Sequence, residues 1–131
     1  GYSSYEIINA LYKIKPPFNV NKPALFCASA ALTDISWLKK EIRHINKWRM
    51  IMFKEFKKMK IETNEGDANF LLINFDRLRI NSINVFRKLG ELGILVRRME
   101  VYGIKNSLRV TIGKVIENKK LLLGLKKIIY V

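Results

Sequence analysis

The chain has 131 residues, 49% of them hydrophobic and 27% charged, so it is long enough for one domain with a real core and is not of disordered composition. No apolar run reaches the length of a membrane span, and the first ten residues lack a basic segment leading into an apolar one, which excludes a secretory signal there. The net charge of +14 fits an anionic partner, but Lys, Ile and Asn are favoured along the whole chain, so the excess reads equally well as compositional drift.

Residues 5–14, YEIINALYKI, predict a short amphipathic helix with Ile8, Leu11 and Tyr12 or Ile14 on one side. Pro16 and Pro17 stop it, because proline removes a backbone donor and holds its predecessor extended. Asn21 is placed to cap a second helix, with Pro23 in its first turn. That helix, 24–32, is rich in small residues and apolar nearly all round, which predicts packing on several sides and a buried Cys27. A lone cysteine leaves no internal disulfide and fits a reducing compartment.

A longer helix starts at Thr33 or Asp34 and runs to about Lys60. Leu38, Ile42, Ile45, Met52, Phe56 and Met59 recur at helical steps and mark its inner stripe. Lys39, Lys40, Arg43, Lys47, Lys54 and Lys58 read as its solvated face. His44 lies among those cations as a surface histidine, with no ligand spacing around it, and Trp37 and Trp48 read as core edges. Residues 64–75 give a turn and then a strand of β-formers. Asn81 or Ser82 caps a helix through Leu92 with Val85, Phe86 and Leu89 inward, and Gly93 stops it.

Two short strands follow, GILVRRM at 93–99 and SLRVTIG at 107–113, joined by a loop and each carrying arginine near its centre. Gly113 ends the second. A last helix buries Leu121, Leu122, Leu125 and Ile128 or Ile129, with Glu117 in its first turn and Lys114 as a poor residue for its cap. The order, helices and then β-α-β-β-α, predicts a small α/β layer: a three- or four-stranded sheet covered on one face by helices.

Spacing alone leaves the arginines two roles. Arg109 and Arg97 fit a wet sheet face; they equally fit a clamp for an anion, since guanidinium donors match phosphate or carboxylate oxygens in planar pairs. A nucleic-acid-binding domain, with Lys39, Lys40, Arg43 and Lys47 as its footprint, lacks helix-turn-helix spacing, paired strand aromatics and a zinc motif.

The strings KPPFNVN, ANFLLINF and LGELGILVRRMEVYGIKNSLRVTIG, in this order, resemble the C-terminal part of histidinol-phosphate aminotransferases, pyridoxal-phosphate enzymes of fold type I. The likeness spreads over nearly the whole chain. It implies that residues 1–20 are the tail of a large cofactor domain and 21–131 the small C-terminal domain. It implies that Arg109 and Arg97 bind the phosphate of histidinol phosphate, with Arg109 also taking the glutamate carboxylate. Arg98 is the lesser alternative, because its face is shared with Ile94 and Val96. Phe18 and Asn19 would lie in an active-site loop at a homodimer interface, and Asn69 would be structural. The resemblance further implies a cytoplasmic enzyme that binds no metal, nucleic acid or membrane. The Schiff-base lysine and the cofactor's other ligands would lie upstream of Gly1, so no catalytic residue is expected in this chain and it is expected to be inactive alone. Related phosphate-substrate or aromatic-substrate enzymes, a threonine-phosphate decarboxylase or an aromatic aminotransferase, share the pattern.

Overall fold

A computed structural model describes residues 2–17 and 19–130. The chain divides into two units, residues 1–38 and 39–131.

The first unit holds α1 (Tyr5–Ile14) and α2 (Lys22–Thr33). Asn21 caps α2 as its position predicts: its side-chain oxygen accepts the Ala24 N–H at 2.8 Å. At the start of α3 (Ile35–Lys58), the Asp34 carboxylate accepts the Trp37 N–H and the Ser36 hydroxyl, each at 2.9 Å. These bonds, the backbone one foremost, hold the Asp34 carboxyl below its ordinary pKa. Among the described residues, neither α1 nor α2 buries a side chain. Cys27 is therefore exposed rather than buried, and Trp37 is exposed rather than a core edge. The apolar pattern of α2 is real, but a unit of this length holds too little chain to close a core over it.

The second unit is built on a four-stranded antiparallel sheet in the order β1-β2-β4-β3: β1 (Glu62–Thr63), β2 (Phe70–Asn74), β3 (Arg97–Arg98) and β4 (Ser107–Thr111). β1 is a strand that the sequence pattern did not announce, since two residues carry no alternation. Leu71, Ile73, Leu108 and Val110 alternate onto the covered face. There they join Trp48, Met52, Phe56 and Met59, Val85 and Leu89 of α4 (Ser82–Glu91), and Leu121, Leu122 and Leu125 of α5 (Val115–Ile129) in one cluster. The C-terminal half of the predicted α3 stripe is thus buried, whereas Leu38 and Ile42 are exposed. The β-α-β-β-α layer with helices on one face is as expected. The first arginine strand is shorter than its apolar run: only Arg97 and Arg98 pair, because the chain turns at Met99 into a 3₁₀ turn, Glu100–Tyr102. Asn81 caps α4 by accepting the Ile83 N–H at 2.8 Å. No described helix is long and apolar enough to cross a membrane.

Asn106 closes the other end of the sheet. It takes a left-handed φ of 47°, which asparagine tolerates better than most residues. Its side chain accepts the Ser82 N–H at 2.7 Å and donates to Asp76 and to the Ile80 carbonyl. One amide therefore ties the β4 entry to the start of α4.

Glu55 of α3 joins two helices: it accepts Lys126 of α5 at 2.7 Å and Lys58 at 2.6 Å. Those two ammonium groups, Lys126 first, lower its carboxyl from 4.5 to about 2. A carboxylate depressed in the fold stabilises it above its unfolded pKa and ceases to do so as pH falls through the folded value. Glu55→Gln is therefore expected to lower stability at neutral pH and to remove part of the acid-induced loss between pH 4.5 and about 2, read by urea unfolding across that range. An unchanged acid slope would contradict the assignment.

Candidate functional site

The register of the sheet decides where the arginines point. Arg97 on β3 is the direct cross-strand partner of Arg109 on β4, which pairs in turn with Leu72 on β2. Residues directly opposite in an antiparallel pair project to the same face, with Cβ atoms about 4.5–5.5 Å apart. The two guanidiniums therefore share the face opposite the helices. Arg98 projects the other way, as the next residue on a strand must. Its Nε meets the Glu100 carboxylate at 3.3 Å, and Glu100 also accepts the Ser82 hydroxyl at 3.2 Å. The Glu100 carboxyl is held below its ordinary pKa, first by its own backbone N–H and then by Arg98 and Ser82, against some desolvation.

Arg97 and Arg109 have no such partner. Among the described residues, neither has a carboxylate within 4.0 Å. Arg109 is half-buried, its guanidinium carbon is 5.0 Å from the centre of the Phe70 ring, and its Nε is buried with no hydrogen-bond acceptor. Phe70 stands two residues from Leu72 on β2, so it is the diagonal neighbour that the pleat supplies. Arg97 is exposed and donates through one terminal nitrogen to the Tyr102 hydroxyl. Both arginines line an open cavity of about 540 Å³ together with Thr111 and the apolar Leu95, Val96 and Phe86. Arg98 lines it too.

Such a site has unspent donors. A buried, unpartnered N–H costs free energy until an acceptor arrives, and paired guanidiniums on facing positions repel each other. An oxyanion with several acceptor oxygens relieves both. Among the described residues, the cavity lining includes no lysine and no carboxylate.

The strand that carries Arg109 is fixed at its far end by two groups. Asn118 of α5 is buried and clasps Gly113: its oxygen accepts the Gly113 N–H and its amide donates to the Gly113 carbonyl, both at 2.9 Å. His44 of α3 lies 2.9 Å from the same carbonyl through Nε2. It is half-buried and ties α3 to the sheet, in place of the solvated role its cationic neighbours implied. The weak cap at Lys114 is compensated by Glu117, whose carboxylate accepts the Lys114 N–H at 2.7 Å. A Cβ at Gly113 would push that carboxylate aside.

Asn19 lies in the first unit, exposed in the bend after the prolines, where it lines a surface depression with Tyr12 and Pro16. Phe18 lies outside the described residues. Asn69 is exposed, and its carbonyl accepts the Ile112 N–H at 2.8 Å, a structural bond at the end of the β2–β4 pair. Phe70 and Tyr102 are the site members that the sequence reading passed over. Phe70 was legible as an outward strand position, whereas Tyr102 sits in a turn where no periodicity points.

Residues 1–125 match the family described as aminotransferase class I and II. The chain is 40% identical over 129 residues to the histidinol-phosphate aminotransferase of Pelagibacter ubique, covering 98% of this chain and 36% of that protein. It is 38% identical over 130 residues to the enzyme of the same name from Campylobacter jejuni, covering 98% and 35%. Among solved structures, the histidinol-phosphate aminotransferase from Clostridium acetobutylicum superposes with a TM-score of 0.81 at 25% identity, over 95% of this chain and 38% of that one. The chain thus spans little more than a third of the length of the relatives it matches.

If the two guanidiniums stand unneutralised, removing one relieves repulsion. Arg97→Leu is expected to leave unfolding free energy in phosphate-free buffer unchanged or higher by about 0.2–1 kcal/mol, measured by urea denaturation. A loss well above 1 kcal/mol would show that Arg97 serves the fold rather than a ligand.

Proposed function

The chain belongs to the class I and II aminotransferases, and on that premise we propose that it is the C-terminal part of a histidinol-phosphate aminotransferase in which Arg97 and Arg109 grip the substrate's phosphate. The observation that carries the reading is their cross-strand pairing with no carboxylate partner among the described residues, at the positions where the resemblance calls for phosphate-binding arginines. The names and identities of the two bacterial relatives support the choice of enzyme within the family.

The whole enzyme, on this reading, moves an amino group between glutamate and imidazole-acetol phosphate in histidine biosynthesis, and works in the cytoplasm as a homodimer. Residues 1–20 are the tail of its large domain and 21–131 the small domain. The loop with Phe18 and Asn19 reaches the active site at the dimer interface. Arg109, in the middle of the sheet, accepts either the phosphate or, in the other half-reaction, the glutamate carboxylate. Arg97, on the edge strand, adds the second pair of donors that a phosphate dianion can use. A guanidinium is always charged and presents its donors in a plane, so the pair selects a tetrahedral dianion by geometry as well as charge.

Membership of the family implies dependence on pyridoxal phosphate, which supplies the electron sink for amino transfer when bound. The cavity described above does not fit that cofactor. It holds no lysine to anchor it and no carboxylate to face its ring nitrogen. We assign the cofactor, its Schiff-base lysine and the proton transfers to the rest of the enzyme, and to this chain the holding of the substrate's anionic end. The chain alone is accordingly expected to be inactive.

The test uses the full-length enzyme and compares histidinol phosphate with histidinol. Arg109→Ala and Arg97→Ala are each expected to cut kcat/KM for the phosphate-bearing substrate by about tenfold to a hundredfold, the worth of one charge-assisted hydrogen bond, and to spare histidinol. Equal losses on both substrates would remove the assigned role. Preference for threonine phosphate or for an aromatic amino acid over histidinol phosphate would place the enzyme elsewhere in the family.

A further inference from the structure

The two arginines are held very differently. Arg109 lies inside the sheet, flanked by β2 on one side and β3 on the other, and rests against Phe70. Arg97 stands on a strand only two residues long, exposed, and at the edge of the sheet among the described residues. A long side chain in that position loses much rotamer freedom when it binds a ligand, unless something already holds it.

We infer that Tyr102 is that holder: a positioning residue whose hydroxyl accepts a hydrogen bond from Arg97 and keeps the guanidinium on the face that Arg109 occupies. The inference rests on the reading of Arg97 as a phosphate contact. The Arg97 guanidinium carbon is 5.4 Å from the centre of the Tyr102 ring, so the side chains lie alongside each other as well as touching at their tips. The tyrosine itself is on a built turn. Its N–H donates to the Met99 carbonyl at 3.0 Å, and Ile104 returns to the same carbonyl at 3.3 Å. The Gly103 N–H closes on Glu100 at 2.9 Å with Gly103 at a φ of 75°, a conformation that glycine adopts without strain.

Both residues under that turn are pinned. Met99 is buried, and Glu100 is held by Arg98 and Ser82. The adjacent arginines therefore divide the labour: Arg98 fixes the turn from the helix-covered side, and the turn presents Tyr102 to Arg97 on the open side. One of the five guanidinium N–H groups is spent on the hydroxyl, which leaves four for an oxyanion.

The test again uses the full-length enzyme, with Tyr102→Phe, Arg97→Ala and the double variant, on histidinol phosphate and histidinol. Tyr102→Phe is expected to raise KM for histidinol phosphate about three- to tenfold, with kcat changed by less than about twofold and histidinol unaffected. In the Arg97→Ala background the same change is expected to add nothing, because its effect passes through Arg97. Wild-type kinetics in Tyr102→Phe beside a selective loss in Arg97→Ala would overturn the tyrosine's role and leave the arginine grip standing. A further loss in the double variant, or tighter binding in Tyr102→Phe, would also overturn it, by making the hydroxyl a direct contact or a competitor. A non-selective Arg97→Ala would overturn the grip and this inference together.

Discussion

Two like charges facing each other across an antiparallel ladder are an unfavourable thing for a fold to build. The repulsion between Arg97 and Arg109 is relieved by no carboxylate among the described residues, although Arg98, the adjacent residue on β3, has one. The rest of the second unit can be read as the apparatus that maintains this arrangement. The apolar cluster of α3, α4 and α5 fixes the covered face of the sheet, which fixes the register, and the register sets the arginines side by side. A slip of one residue in β3 would exchange Arg97 for Arg98 and turn the ion-paired arginine to the open face.

The anchors of β4 serve the same end. Asn118 and His44 converge on Gly113 at one end of the strand, and Asn106 ties its other end to Asp76, Ile80 and Ser82. Arg109 lies between these two fixed points. A guanidinium that must meet an anion gains affinity from being placed beforehand, since less freedom is lost on binding. The structure spends buried and half-buried polar side chains on that placement, and each of them is satisfied by a hydrogen bond.

Much of this was legible in the sequence, because it depends on short-range rules. The alternation of Leu108, Val110 and Ile112 announced β4 and put Arg109 on its far face. Asn21 and Asn81 announced two helix starts, and the Met52–Phe56–Met59 steps announced the buried side of α3. What was not legible depends on long-range pairing or on how much chain packs over a helix. β3 looked longer than it is, because the turn at Met99 is set by tertiary bonds from Glu100 to α4 rather than by local pattern. Cys27 looked buried because α2 is apolar, and no amount of local pattern tells how much chain is at hand to cover it. The partner of His44 is 69 residues away in sequence, and Tyr102 meets Arg97 only through a turn.

The central claim is geometric: one phosphate is held by both arginines. A crystal structure of the full-length enzyme with histidinol phosphate measures it directly. The account predicts phosphate oxygens within hydrogen-bond distance of both Arg97 and Arg109, with the Arg109 Nε no longer without an acceptor. A phosphate bound away from both guanidiniums, or one touching Arg98 in their place, would contradict it.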